Sequence, residues 1–234
     1  MRFRNREHAA TLLAARLASY KTQHPLILGI PRGGVPMARI IADALGGDVD
    51  VVLVRKLRAA FQPDLAIGAI DESGVVLKGR HVEAQDVGDP YLREEIRVQT
   101  EILRTRRDLY TKARRPLDPS GRLVIIVDDG VATGCSMLAA IRSVRARHPR
   151  KIVVAVAVAP PESLALLRQE ADDAICLQPP AYFFAASQSF EDFSEVTDEM
   201  VMAALTGAAI QEQFPPGTSG VSHDDYAHRT RNGP

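Results

Sequence analysis

Asp128 and Asp129 close a run of four apolar residues and open a loop of small ones, the stretch from Val124 to Ser136 reading VIIVDDGVATGCS. Adjacent carboxylates can accept hydrogen bonds from vicinal hydroxyls and can stabilise positive charge developing on a nearby carbon. The loop that follows suits the opposite charge. Gly130 and Gly134 permit a tight turn, Thr133 and Ser136 offer hydroxyls, and a helix starting near Ser136 points unpaired N–H groups back at the loop. Gly130, Val131, Ala132, Thr133, Gly134, Cys135 and Ser136 therefore make an anion cradle suited to a phosphate. A diol beside a phosphate is the chemistry of a ribose 5-phosphate. Two cationic stretches join this set. Arg32 stands beside Gly33 and Gly34 in PRGGVPMA, a second cradle whose charge suits a pyrophosphate, and Arg55-Lys56 follow the apolar run Val49 to Val54. Cys135 lies near the expected helix start, where a thiol pKa falls, yet no histidine is placed to activate it, so it reads as a spacer.

The elements that must position these groups follow from hydrophobic patterning. Val124 to Val127 is too short and too β-branched for a buried helix and reads as an interior strand of a parallel sheet. Its loop then lies at a carboxyl end, where open α/β sheets bind ligands. Leu26 to Ile30, Val49 to Val54, Lys151 to Ala159 and Ala174 to Leu177 read as further strands. Helices are expected from Asn5, a candidate cap, to Tyr20, from the PRGG turn to Leu45, from Ser136 to His148, and from Glu162 to Glu170. This alternation predicts an α/β fold with a mostly parallel, doubly wound sheet. Leu57 to Ala66, with Pro63 and little periodicity, reads as a loop able to close over the site. AIGAIDESGVVL reads as a hairpin with Asp71 and Glu72 in its turn, and Lys78 to Asp89 as irregular. Pro90 to Arg115 is expected to be a long helix. Its Arg93, Arg97, Arg104, Arg106 and Arg107 interleave with Glu94, Glu95, Glu101 and Asp108, so the spacing favours a solvated face over an RNA-binding one.

Composition narrows the classes. The 234 residues are 46% hydrophobic and 25% charged, with 29 basic and 29 acidic side chains. That balance gives no overall field for nucleic acid or an anionic membrane surface, so anion binding must be local. Cys135 and Cys176 are the two cysteines, in no metal-ligand spacing, which favours a reducing compartment. The opening MRFRNREHAATLLAARL lacks the apolar core of a signal peptide, and no run is long enough to span a bilayer, so a cytoplasmic protein is expected. From Gly207 onward the chain turns Pro-, Gly-, Ser- and His-rich, which predicts one domain over 1–206 and a flexible tail over 207–234.

Between Gln178 and Val196 five aromatics crowd together: Tyr182, Phe183, Phe184, Phe190 and Phe193. They could stack on a planar acceptor or seal the sheet edge, and the residues alone leave both open. Four apolar residues, two acidic ones and then G-x-A-T-G-x-S resemble the 5-phosphoribosyl-1-pyrophosphate (PRPP) motif of type I phosphoribosyltransferases. IPRGG, VRK, LAIGAI, VDDGxATG and a DFxxVxDExV ending from Asp192 to Val201 are similar to a bacterial group of predicted members, over roughly residues 5 to 205. The resemblance implies transfer of ribose 5-phosphate from PRPP to a nitrogen acceptor with release of pyrophosphate, assisted by Mg²⁺ held largely by PRPP oxygens and indirectly by Asp128 and Asp129. Asp128, Asp129, Arg55 and Lys56 would be catalytic, and Arg32, Gly33, Gly34 and residues 130–136 would bind PRPP. A cis peptide is implied around Pro31 to Gly33, and a flexible catalytic loop at 57–66. It also implies a hood at about 178–196 offering Tyr182, Phe183 and Phe184 to a nucleobase-like acceptor, and a homodimer. Ala132 stands where members acting on 6-oxopurines carry an acidic base, and no lysine follows Lys151, which counts against hypoxanthine and guanine. The alternative implied is a PRPP- or nucleotide-sensing regulator, or a binding module, without turnover.

Overall fold

The β-branched runs become the centre of the molecule. A computed structural model describes residues 2–60, 62–78 and 90–207, and for 62–66 and 78 it describes the backbone. In chain order the elements are α1 (Arg6–Arg16), β1 (Leu26–Gly29), α2 (Gly34–Leu45), β2 (Asp48–Val51), β3 (Val54–Ala59), β4 (Gln62–Asp71), β5 (Val76–Lys78) and α3 (Pro90–Ala113). There follow β6 (Leu123–Gly130), α4 (Cys135–Arg145), β7 (Lys151–Val158), α5 (Pro161–Glu170), β8 (Asp173–Gln178) and α6 (Asp198–Thr206).

Five strands form one sheet in the order β2-β1-β6-β7-β8, each pairing parallel. Both faces are covered, which is why these strands are continuous apolar runs rather than alternating ones. Ile27, Val49 and Ile125 pack with Leu13 of α1 and Ile41 of α2 on one face. Leu26, Val124 and Ile126 pack with Met137 and Ile141 of α4 and Leu164 of α5 on the other. Each such aliphatic burial stabilises by roughly 1.5–3 kcal/mol. From β1 the chain runs to β2 on one side, whereas β6, β7 and β8 lie on the other. The strand order therefore reverses between β1 and β6, where doubly wound sheets open a crevice. Among the described residues no helix is long and apolar enough to cross a membrane.

A second, antiparallel sheet, β3-β4-β5, stands beside the first and corrects two expectations. The run Val49 to Val54 is not one strand. β2 stops at Val51, Val52 N donates to the Gly29 carbonyl (3.1 Å), and Val54 starts β3. Nor do the described residues between Leu57 and Ala66 form a loop, because both flanks are paired, Leu57 opposite Gly68 and Ala59 opposite Gln62. Leu57 is buried against Ile70 and against Leu103 and Tyr110 of α3, a partner far away in sequence. Pro63 falls where the register shifts, so the proline meant to break the strand sits in an irregularity of it. The DESG turn forms as expected, Asp71 Oδ1 accepting from Ser73 N, Ser73 Oγ and Val75 N.

Asn5 caps α1, accepting from His8 N at 2.9 Å. The expected helix to Tyr20 is α-helical through Arg16 and then tightens into a 3₁₀ turn over Ala18–Gln23. Residues 79–89, where the irregular segment was expected, lie outside the described residues, as does 208–234, nearly all of the expected tail.

Candidate active site

Because β1 and β6 are neighbours in parallel register, Gly29 opposite Val127, the chain leaves both strands at the same edge. The loop after β1 and the loop after β6 are thereby side by side, joined by Ile30 N donating to the Val127 carbonyl (2.9 Å). The Pro31–Arg32 peptide is cis, as the resemblance implied. Gly33 is at ordinary helical φ (−62°), yet a Cβ there would stand 2.0 Å from Asp129 Oδ2, so the close approach of the two loops is what requires glycine. Gly134, at φ 85°, turns the phosphate-type loop into α4. On the far side of that loop the Ser163 hydroxyl of α5, itself buried, donates to the Ala132 carbonyl (2.5 Å) and fixes its orientation.

Between the loops lies a cleft of about 340 Å³. Arg32, Gly33, Arg55, Lys56, Asp128, Asp129 and residues 130–136 all line it, so most of the expected residues are brought together. Arg55 and Lys56 arrive from the start of β3 rather than from the end of a parallel strand. Gly34 is the exception. It begins α2 and lies under the cleft, where a Cβ would meet the Val127 carbonyl at 2.4 Å, and it serves close packing of helix on sheet.

The electrostatics divide the floor from the wall. Burial, and then the neighbouring Asp129 charge, push the Asp128 carboxyl well above the usual carboxylate range. Burial raises Asp129 too, but Arg6 opposes it, with Nε 2.7 Å from Asp129 Oδ2. The wall is cationic. Arg55 holds its proton less firmly than usual because it is desolvated and because Arg106, Arg58 and Arg32 stand near it, against the pull of Glu95. Among the described residues none of Arg55, Lys56, Arg58 or Arg106 forms an ion pair, although Arg58 and Arg106 also line the cleft. Arg58 was not singled out in the sequence, and Arg106, expected on the solvated face of the long helix, turns to the cleft instead.

The aromatic segment separates into two kinds of residue. Phe190 is buried against Phe3 (ring centroids 5.3 Å) and Phe193 (4.9 Å), with the N-terminal chain paired to it through Phe3 N to the Ser189 carbonyl. Tyr182 and Phe184 are exposed, at 86% and 81%, and Phe183 packs on the core. None of Tyr182, Phe183 and Phe184 lines the cleft. Phe193 does face this region. Arg6 lies 3.7 Å above its ring, donates to the Ser194 carbonyl (2.7 Å) and holds Asp129, while Arg32 reaches Glu195. A shallow cavity of about 370 Å³ lined by Arg6, Arg32, Gly33, Phe193, Glu195 and Val196 thus adjoins the first through its shared Arg32 and Gly33. Arg6 and Glu195 are additions that sequence reasoning missed, and Phe193 was read there only as one of five aromatics that could stack on an acceptor or seal the sheet edge.

A family model for the phosphoribosyl transferase domain matches residues 4–191. The chain belongs to the phosphoribosyl transferase family. Curated relatives from two strains of Mycobacterium tuberculosis, provisionally named as phosphoribosyl transferases, are 40% identical over 212 residues, 88% of this chain and 47% of theirs. The chain therefore spans about half the length of the curated relatives it matches. The crystal structure of TT1426 from Thermus thermophilus is similar in fold, at TM-score 0.75 and 44% identity, covering 89% of this chain and all of that one.

As a phosphoribosyl transferase domain, the chain offers Mg²⁺ a particular donor set. Among the described residues no group of three or more His, Cys, Asp or Glu could cage a metal. Asp128 and Asp129, one of them already paired with Arg6, suit an ion that takes most of its oxygens from substrate phosphates and water.

Proposed function

We propose that the protein is a PRPP-dependent phosphoribosyltransferase that transfers ribose 5-phosphate to a nitrogen acceptor and releases pyrophosphate. The observation that carries this reading is the juxtaposition, at the β1/β6 edge, of an anion cradle, a carboxylate pair and an unpaired cationic wall in one cleft. Residues 130–136 hold the 5-phosphate through backbone N–H groups at the start of α4, with the Thr133 and Ser136 hydroxyls beside them. Asp128 and Asp129 accept the ribose hydroxyls, and their negative charge opposes the positive charge that develops at the anomeric carbon as the bond to pyrophosphate lengthens. Arg32, Arg55 and Lys56 bind the departing pyrophosphate, and the two cradles fix the distance between its ends. Mg²⁺, when bound with substrate, supplies further neutralisation of the pyrophosphate, with Asp128 and Asp129 assisting through water.

For the acceptor, the reading favours the cavity between Arg32 and Phe193 over the exposed Tyr182 and Phe184, because that cavity touches the pyrophosphate loop and has an aromatic wall. A planar, nucleobase-like compound with nitrogen donors toward Glu195 fits this chemistry. The reading also takes residues 1–206 as the catalytic domain, 178–196 as its hood, and the assembly as a homodimer in the cytoplasm. The deciding experiment follows pyrophosphate release from PRPP with Mg²⁺ across a panel of purine and pyrimidine bases and other planar amines. Release with one acceptor class is expected. PRPP bound without turnover on every acceptor sinks the enzyme reading and leaves a sensor or binding module.

A further inference from the structure

The arginines of α3 fall into two kinds. Arg97 pairs with Glu94 at 2.7 Å and Arg104 lies 3.9 Å from Glu101, both exposed, and Arg107 makes a two-pronged contact with Glu72 of the β4–β5 turn. The first two are the solvated-face contacts that their spacing with glutamates predicts, while Arg107 reaches a carboxylate of another element. Arg106 has no carboxylate partner among the described residues and lines the cleft instead.

Helix periodicity explains the difference. Leu92, Ile96, Gln99, Leu103, Arg106 and Tyr110 recur at alternating steps of four and three, which places them on one stripe. Leu92, Gln99, Leu103 and Tyr110 are buried, so this stripe is the inward one. Two polar residues interrupt it, one heptad apart. Gln99 is accounted for by Arg55, whose Nε donates to Gln99 Oε1 at 2.8 Å, while Gln99 Nε2 donates to Glu95. Arg106 comes from the same stripe, close enough to Arg55 that it is the first charge, after burial, to weaken the hold of Arg55 on its proton. Cations gathered on a partly desolvated wall repel one another, Glu95 offsetting this only in part at Arg55, and an anion with several charged oxygens relieves that repulsion.

We propose that Arg106 is a ligand of the departing pyrophosphate, contributed to the cleft by the long helix α3. This rests on the PRPP reading above. A guanidinium presents paired N–H donors that match two phosphate oxygens, which a solvated lysine does not.

The test measures the affinity of the full chain for inorganic pyrophosphate, with Mg²⁺ present, and separately for ribose 5-phosphate. Arg106→Gln should weaken pyrophosphate roughly ten- to hundredfold, the range of one charged hydrogen-bond pair, and leave ribose 5-phosphate and the thermal midpoint unchanged. Arg104→Gln, on the outer face, should match the wild type at both probes. Pyrophosphate bound equally by Arg106→Gln and wild type overturns the proposal and leaves the PRPP reading standing, and so does an equal weakening by Arg104→Gln. A wild-type chain that binds neither PRPP nor pyrophosphate removes the underlying reading and the proposal with it. If Arg106→Gln melts early, Arg106→Lys decides: weaker pyrophosphate at equal ribose 5-phosphate affinity supports the assignment, and equal affinity for both overturns it.

Discussion

An alanine at position 33 would put its Cβ 2.0 Å from Oδ2 of Asp129 and 3.1 Å from Nε of Arg6. Neither atom can retreat cheaply, since Arg6 is held by the Ser194 carbonyl and the Phe193 ring while Asp129 is paired with Arg6 at the end of β6, beside Asp128. The methyl therefore displaces the carboxylate that the proposed mechanism sets against the ribose, and misplacement on the order of 1 Å at a reacting centre costs about a hundredfold. Gly33→Ala is expected to lower kcat/KM for PRPP by roughly that factor, with a lowered thermal midpoint as well, because the methyl also strains the Arg6–Asp129 pair. Initial-rate kinetics beside a melting curve check it; wild-type kcat/KM would show that Asp129 has no part in binding. At this scale the gathering of residues was readable where it is local, as in the Asp128 to Ser136 loop, whose residues all line one cleft. Arg6 was not readable, because it is 123 positions from Asp129 and looks like any other charged residue in the first turn of a surface helix. Glu195 was hidden for the same reason, and Phe193 was visible only as one aromatic of five, their placement depending on what Arg32 and Arg6 bring to them.

Among elements, β2 is the edge strand of the parallel sheet, and its two carboxylates tie down the segment that leads into β6. Asp48 accepts from Arg114 (3.1 Å) and Arg122 (2.8 Å), and buried Asp50 accepts from Val51 N and Leu117 N, both at 2.7 Å. Burial raises the Asp50 carboxyl above its ordinary value of 3.8, against the pull of those N–H groups. The unfolded chain releases this proton near the ordinary value, whereas the folded chain keeps it to higher pH. Between the two values the folded state carries the extra proton, so this group's contribution to stability falls as pH rises through the window. Asp50→Asn removes the slope but sets an amide NH₂ against one N–H donor, a cost of about 1–3 kcal/mol. The gap in thermal midpoint between wild type and Asp50→Asn is therefore expected to be widest near the acidic end and to narrow toward neutrality. Asp128 and Asp129 titrate in both proteins and cancel. A gap that stays constant from acid to neutral pH would mean that Asp50 is not destabilised by its burial. The five parallel strands were legible as elements because burial on both faces makes them continuous apolar runs. The β3–β4 hairpin was not, because VRKLRA spends its charged residues on the cleft and its partner, Tyr110 and Leu103 of α3, lies some forty to fifty positions away. The inward stripe of α3 was legible in principle, since Gln99 and Arg106 break an otherwise apolar series at heptad spacing, but the glutamates beside the other arginines masked it.

Taken as a whole the molecule has no net charge, with 29 basic and 29 acidic residues, yet the two signs are not evenly mixed. On the outer surface they pair: Arg97 with Glu94, Arg142 with Glu170, Arg145 with Asp172, all solvent-exposed. Such pairs each contribute about 0–1 kcal/mol and less in salt. In the cleft Arg55, Lys56, Arg58 and Arg106 form no ion pair among the described residues, and a partly enclosed wall focuses their field on an incoming polyanion. The two populations respond differently to ionic strength. Screening shortens the reach of the cleft's field from about 10 Å at 0.1 M to about 3 Å at 1 M, while the apolar core, which carries the fold, does not depend on it. Raising KCl across that range is therefore expected to lower kcat/KM for PRPP by roughly an order of magnitude, through KM more than kcat, with a thermal midpoint that hardly moves. Neutralising one wall residue, as in Arg58→Gln, should flatten the dependence as well as lower its starting point, because fewer fixed charges remain to be screened. A kcat/KM indifferent to salt in the wild type would mean that the wall does not act as a collective field, and the substrate's recognition would then have to reside in the short-range contacts of the two loops alone.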